Sequence, residues 1–220
     1  MKEKITELIK RYRSDDIFRS RMILYRGTLL NACYAIFKLT TGLWFASTWL
    51  IAIAVFYLTL LLIKFFLVRQ DIRGLQNKQE ADPLTEWYAY RRTGWLMLLM
   101  NIGLAAINLH VIVKNDRYSY PGVIIYAIAF YAFYRLFIVL VRLKRGRHTG
   151  SPIFAAARAI DLSFAVTALY TLQTAMFASF SPNADVRLPN LICGTGAAAI
   201  VTAISISLIV HGNKRIKDHL

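Results

Sequence analysis

Residues 47–68 read STWLIAIAVFYLTLLLIKFFLV, a predominantly apolar run of 22 residues. About 20 such residues, rising 1.5 Å each in a helix, cross the hydrocarbon of a bilayer. Five further runs of similar length and character lie at 22–45, 88–113, 121–143, 152–179 and 190–211. Breakers stand between them: Ser47-Thr48, Lys114 to Gly122, Arg145 to Pro152, and Ser181 to Asn190, with a longer polar connection over 69–87. The whole chain of 220 residues is 57% hydrophobic and 18% charged, with mean hydropathy +0.45, outside the usual mix of a soluble domain. The expected fold is all-α, a polytopic membrane protein of six transmembrane helices. Residues 1–21 are expected to form an N-terminal amphipathic cytoplasmic segment, 22–211 the membrane domain, and 212–220 a basic cytoplasmic tail.

The net charge of +15 reads as topology, because the basic residues lie between hydrophobic runs rather than on a separable nucleic-acid-binding domain. Lysine and arginine are retained on the cytoplasmic side during insertion. With a cytoplasmic N-terminus, 21 of the 27 fall in inner segments, among them Arg26, Lys64, Arg69, Arg142 and Lys214. Only Lys114, Arg117 and Arg187 fall outside, and Lys38, Arg135 and Arg158 lie within spans. Both termini are therefore expected in the cytoplasm, across a bacterial cytoplasmic (inner) membrane, with the basic inner face favouring anionic lipid headgroups. No cleavable leader is expected from the charged start. Ile5, Leu8, Ile9 and Tyr12 share one face of a helix expected to lie on the inner surface, or to dock on the inner loops. Asp82-Pro83 reads as a cap opening the third helix.

Ionisable groups are costly in hydrocarbon, so those deep in spans carry the information. Lys38 and Asp161 stand about 18 and 15 Å from the inner boundary by residue count, at similar depth, and are expected to meet or to share a polar cavity. Arg158, one turn before Asp161, and Arg135 on the fourth span can both reach it. Asn31 lies two turns before Lys38, while Asn101 and Asn108 share a face of span three. This set reads either as a polar cavity or as a packing cluster that fixes helix register. Tyr126, Phe130, Phe133, Tyr134 and Phe137 stripe span four, while Phe56 and Tyr57 mark span two; aromatics so spaced read as packing, lipid contact or a cation-binding box. Trp44, Trp49, Trp87 and Trp95 read as interfacial anchors. Cys33 and Cys193 make no disulfide framework, and none of His110, His148, His211 and His219 has a partner at ligand spacing, so no metal site and no cofactor are expected. No hydrolase or nucleotide-binding motif is present, and the chain is not expected to be an enzyme.

Two stretches resemble the cation diffusion facilitators, six-span metal/proton antiporters that work as dimers. One holds Asn31, Lys38, Gly42 and Ser47, within NACYAIFKLTTGLWFASTWLIAIAVFY; the other is Gly150-Ser151-Pro152-Ile153-Phe154-Ala155-Ala156-Ala157. The resemblance implies that family's six-helix bundle and a homodimer. It does not extend to the chemistry: the positions matching the family's metal ligands are Phe56, Leu60, Ile160 and Phe164, all apolar, and no counterpart of the family's C-terminal domain is expected.

These readings give two expected functions. The first is a secondary transporter or permease for a small solute or cation, with Asp161 binding a cation or proton and Lys38 as its counter-charge. The second is a non-transporting membrane scaffold or accessory subunit acting through its basic cytoplasmic face.

Overall fold

Asp15 starts the first helix: its carboxylate accepts from the backbone N–H groups of Ile17 and Phe18, each at 2.9 Å, satisfying donors that a helix start leaves without partners. The computed structural model describes residues 15–76, 83–114, 122–145, 151–180 and 185–219. Among these there are six helices and no strand: α1 (Asp16–Trp44), α2 (Thr48–Gln76), α3 (Pro83–Lys114), α4 (Gly122–Arg145), α5 (Pro152–Phe180) and α6 (Arg187–Asp218). The helices reach past the expected span ends. α1 begins six residues early, α2 continues into the 69–87 connection, and α6 runs through the segment expected to be a separate tail. α3 is described from Pro83 onward. The amphipathic stretch holding Ile5 to Tyr12, Asp82 and His148 lie outside the described residues.

α1 and α2 join through a turn of three residues. Backbone N–H groups of Phe45, Ala46 and Ser47 donate back to Thr41, Leu43 and Gly42, and Ala46 takes φ 47°, the left-handed region where glycine is the usual residue. Gly42 lets the hairpin close, since a Cβ there would stand 3.0 Å from the backbone nitrogen of Ile51.

α5 is the hub and packs against each of the other five helices. Its sequence explains this, because Ala156, Ala165, Ala168 and Ala175 are fully or almost fully buried, and small side chains let helix axes approach closely. α3 and α6 form the longest partnership, antiparallel, with Gly94 against Ser205 and Leu208 and Gly212 against Tyr90 and Arg91. Starts of α1, α3 and α5 and ends of α2, α4 and α6 gather at one end of the bundle, here termed basal. There Arg21 Nε donates to Asp71 Oδ1 at 3.1 Å, Tyr25 Oη to Asp71 Oδ2 at 2.8 Å, and Ser151 Oγ to Glu86 Oε2 at 2.8 Å.

The outside of the bundle is greasy. Leu29, Ile36, Val55, Phe66, Leu99, Ile102, Phe130, Phe137, Ile192 and Val210 are all exposed, and exposed apolar surface that is contiguous marks a membrane or protein contact. α2, α5 and α6 are long and apolar enough to cross a membrane, and α4 carries a shorter apolar stretch, Ile125–Val141. Trp44 and Trp95 point outward, whereas Trp49 is buried, so it is a packing residue and not an interfacial anchor.

A buried ionic cluster as candidate functional site

Four helices send polar side chains to one buried point. Asp161 of α5 receives three donors on a single oxygen, Oδ1: Lys64 Nζ of α2 at 2.5 Å, Arg135 Nη2 of α4 at 2.9 Å and Asn31 Nδ2 of α1 at 3.1 Å. The side chains of Lys64, Arg135 and Asp161 are 0%, 1% and 6% exposed, so the ions are screened by each other and not by solvent. The formal charges are two positive and one negative. Arg135 also lies 6.0 Å from the ring centroid of Phe164, within the range of a cation–π contact.

Aromatic rings cover the cluster on the side away from the basal end. Asn31, Tyr34 and Lys38 lie on one face of α1 at helical spacing. The Tyr34 ring stacks on Tyr131 with centroids 3.7 Å apart and planes 7° from parallel, and Tyr57 meets Tyr34 edge-on at 5.2 Å. Tyr57 in turn contacts Phe164. Lys38, fully buried, sits with Nζ 5.6 Å from the centroid of Tyr34.

Asp161, Arg135 and Asn31 therefore meet as expected, but the lysine bonded to Asp161 is Lys64 and not Lys38. Seven residues, about 10 Å of helix, separate Lys38 from Asn31, with the aromatic layer between. Arg158 is half-buried and interacts electrostatically with Tyr90 of α3; the arginine on Asp161 is Arg135. Asn101 and Asn108 do share a face, and that face is turned to α6. Asn101 Nδ2 donates to the Ala198 carbonyl at 2.8 Å and to Thr202 Oγ1 at 2.5 Å, and Asn108 Nδ2 to the Gly194 carbonyl at 3.0 Å. They hold two helices together and take no part in the ionic cluster. The span-four stripe faces out, with Tyr126, Phe130, Phe133 and Phe137 all exposed, so no cation box forms there.

Sequence reasoning missed Lys64 by placing it with the inner loops. The signal was its position inside the run 47–68, five residues before Arg69, about as far from the boundary as Asn31 is from Arg26. At the basal end, burial pushes the Glu86 carboxyl above its ordinary range, against the hydrogen bond from Ser151, with Asp71 adding to the rise and Arg21 opposing it. Trp87 of α3 lies edge-on to His211 and under Arg215 of α6, and Arg91 Nη1 donates to Asn213 Oδ1 at 3.1 Å. Among the described residues, no group of three or more His, Cys, Asp or Glu could hold a metal ion. Phe56, Leu60, Ile160 and Phe164 are all buried in the apolar core.

No family model, curated protein or solved structure matches the chain. The likeness to cation diffusion facilitators thus rests on the residues quoted above.

Proposed function

We propose that this chain is a six-span membrane protein that carries a small solute through the bundle, with the Asp161 cluster as its central site. The observation that carries the proposal is the convergence of Lys64, Arg135 and Asn31 on Asp161 from four helices, inside an apolar bundle. A helix pair can be fixed by far cheaper contacts, as α3 and α6 are by amides and glycines, and ionic groups within a membrane domain mark pathways of solutes and ions. α1, α3 and α4 complete the six spans in this reading. Moving Lys64 into the interior leaves 20 basic residues inside against three outside, so both termini remain cytoplasmic. Asp161 itself is not a cation site in this reading, since two cations already share its oxygen.

The test is uptake into proteoliposomes across a panel of small inorganic ions, organic acids and amines, read as charge movement on solid-supported membranes. Saturable movement of at least one solute is expected, and its loss in a D161N/K64Q double variant, which keeps the formal charge of the cluster and so favours a folded control. Equal movement by that variant refutes the proposal.

A second reading, a scaffold or accessory subunit, is favoured by the basal surface. Lys214, Arg215 and Lys217 are exposed on α6 beside exposed Arg92 of α3, a patch suited to anionic headgroups. If no solute moves while the folded protein retains binding to anionic vesicles, this reading takes its place.

A further inference from the structure

The ionic cluster is not neutral. Among the described residues the cations Lys64 and Arg135 are both paired to a single carboxylate, Asp161, and buried charge is tolerated in a low-dielectric interior only when it is matched. The same place has buried polar atoms with no hydrogen-bond partner among the described residues: the donors Arg135 Nε and the Tyr131 hydroxyl, and one amide acceptor, Asn31 Oδ1. Tyr131 and Arg135 are one turn apart on α4, so they share a face, and the Tyr131 hydroxyl feels both Arg135 and Asp161 electrostatically. The chemistry needed to complete the site is thus one negative charge able to accept hydrogen bonds.

We infer that the cluster binds a small monovalent anion, held by Lys64 and Arg135 with the Tyr131 hydroxyl as a further donor, and that this anion is the solute class the bundle carries. The identification of the solute rests on the transport reading; the binding site does not. Asp161 then sets selectivity. It reduces two cations to a single net positive charge, so that one monovalent anion brings the site to neutrality and a divalent one overshoots it. Asp161 also keeps both basic side chains in place when no anion is bound, which a site of arginine and lysine alone could not do without mutual repulsion.

The full-length protein in detergent is titrated with sodium chloride or sodium nitrate while sodium gluconate holds ionic strength constant, and the melting temperature is followed. A saturable rise is expected with chloride or nitrate, indifferent to replacement of sodium by potassium. In K64Q and R135Q the half-saturating concentration rises about tenfold or more, the loss expected for one charge-assisted hydrogen bond. R135K, which keeps the charge and loses the planar fork, falls between. Each shift is read against the variant's own baseline, so a lower starting stability does not obscure it. No rise beyond that seen in gluconate, a rise that follows the cation, or an unchanged half-saturation in R135Q overturns the inference. Wild-type proteoliposomes of phosphatidylcholine under a nitrate gradient then separate the two claims. Anion binding without movement leaves the site standing and removes the transport reading, whereas cation movement without any anion effect removes the site and leaves that reading intact.

Discussion

Taking away the carboxylate of Asp161 and taking away one of its cations are different perturbations. D161N strands Lys64 and Arg135 beside each other with no counter-charge, and breaking a buried pair in this way costs about 3–5 kcal/mol. K64M leaves Arg135 and Asp161 as a matched pair, and methionine refills the volume of the lysine stem, so its cost should stay below about 2 kcal/mol. Thermal melting of the two purified variants in one detergent checks the order; K64M less stable than D161N contradicts the pairing. The residues of this cluster were only half legible beforehand. Asp161, Arg135 and Asn31 could be matched by depth counted along the chain, but depth of the backbone is not depth of the charge. Side chains lean toward the start of their own helix. Those of α2 and α4 lean away from the basal end, and that of Asp161 on α5 leans toward it, so Lys64 and Arg135 rise to meet a carboxylate that descends. Counting Cα positions alone favoured Lys38.

At the level of elements, α3 and α6 illustrate a seam made by small residues. From Trp87 against Arg215 to Asn108 against Gly194, the partners on α6 step backward as positions on α3 step forward, an antiparallel register held over about 30 Å. Gly94 is the tightest point, where a Cβ would fall 2.9 Å from the Ser205 carbonyl oxygen and from side-chain atoms of Leu208 and Ile209. Gly103, on the same helix, has nothing within 4 Å of such a Cβ. G94V is expected to destabilise the protein by about 1–3 kcal/mol through overpacking, and G103A to leave it unchanged or raise it by up to about 1 kcal/mol through helix propensity. Melting temperatures of both variants decide this, and a tolerant Gly94 refutes the seam. Helix number and centres were readable from apolar runs and breakers. Several ends were not, because residues such as Arg21 and Asp71 look like loop or surface chemistry yet sit on helices that extend past the expected boundaries. Which helix faces which was also hidden, since Asn101 and Asn108 display a shared face without saying toward what.

For the molecule as a whole, the arrangement of charge makes a topological prediction. In a background with Cys33 and Cys193 replaced by alanine, a cysteine at Arg187 should react with a membrane-impermeant maleimide on intact cells. One at Lys214 should react only after permeabilisation. Both positions are exposed, so access and not packing controls the outcome, and the reverse pattern inverts the protein. The overall hydrophobic class was plain from composition, while the assignment of α5 as hub was not: alanine carries little signal by itself, and only the packed structure shows that the alanines of α5 admit five neighbours. One consequence concerns how such a chain is made. Asp161 is translated after all its donors, 130 residues behind Asn31, 97 behind Lys64 and 26 behind Arg135. At about 5–20 residues per second the lysine waits roughly 5 to 20 s for its anion. If the chain inserts as proposed, in that interval the nascent hairpin must lodge its amine elsewhere, at the headgroups or against the translocation machinery, and a ribosome stalled before codon 161 would leave Lys64 unanswered.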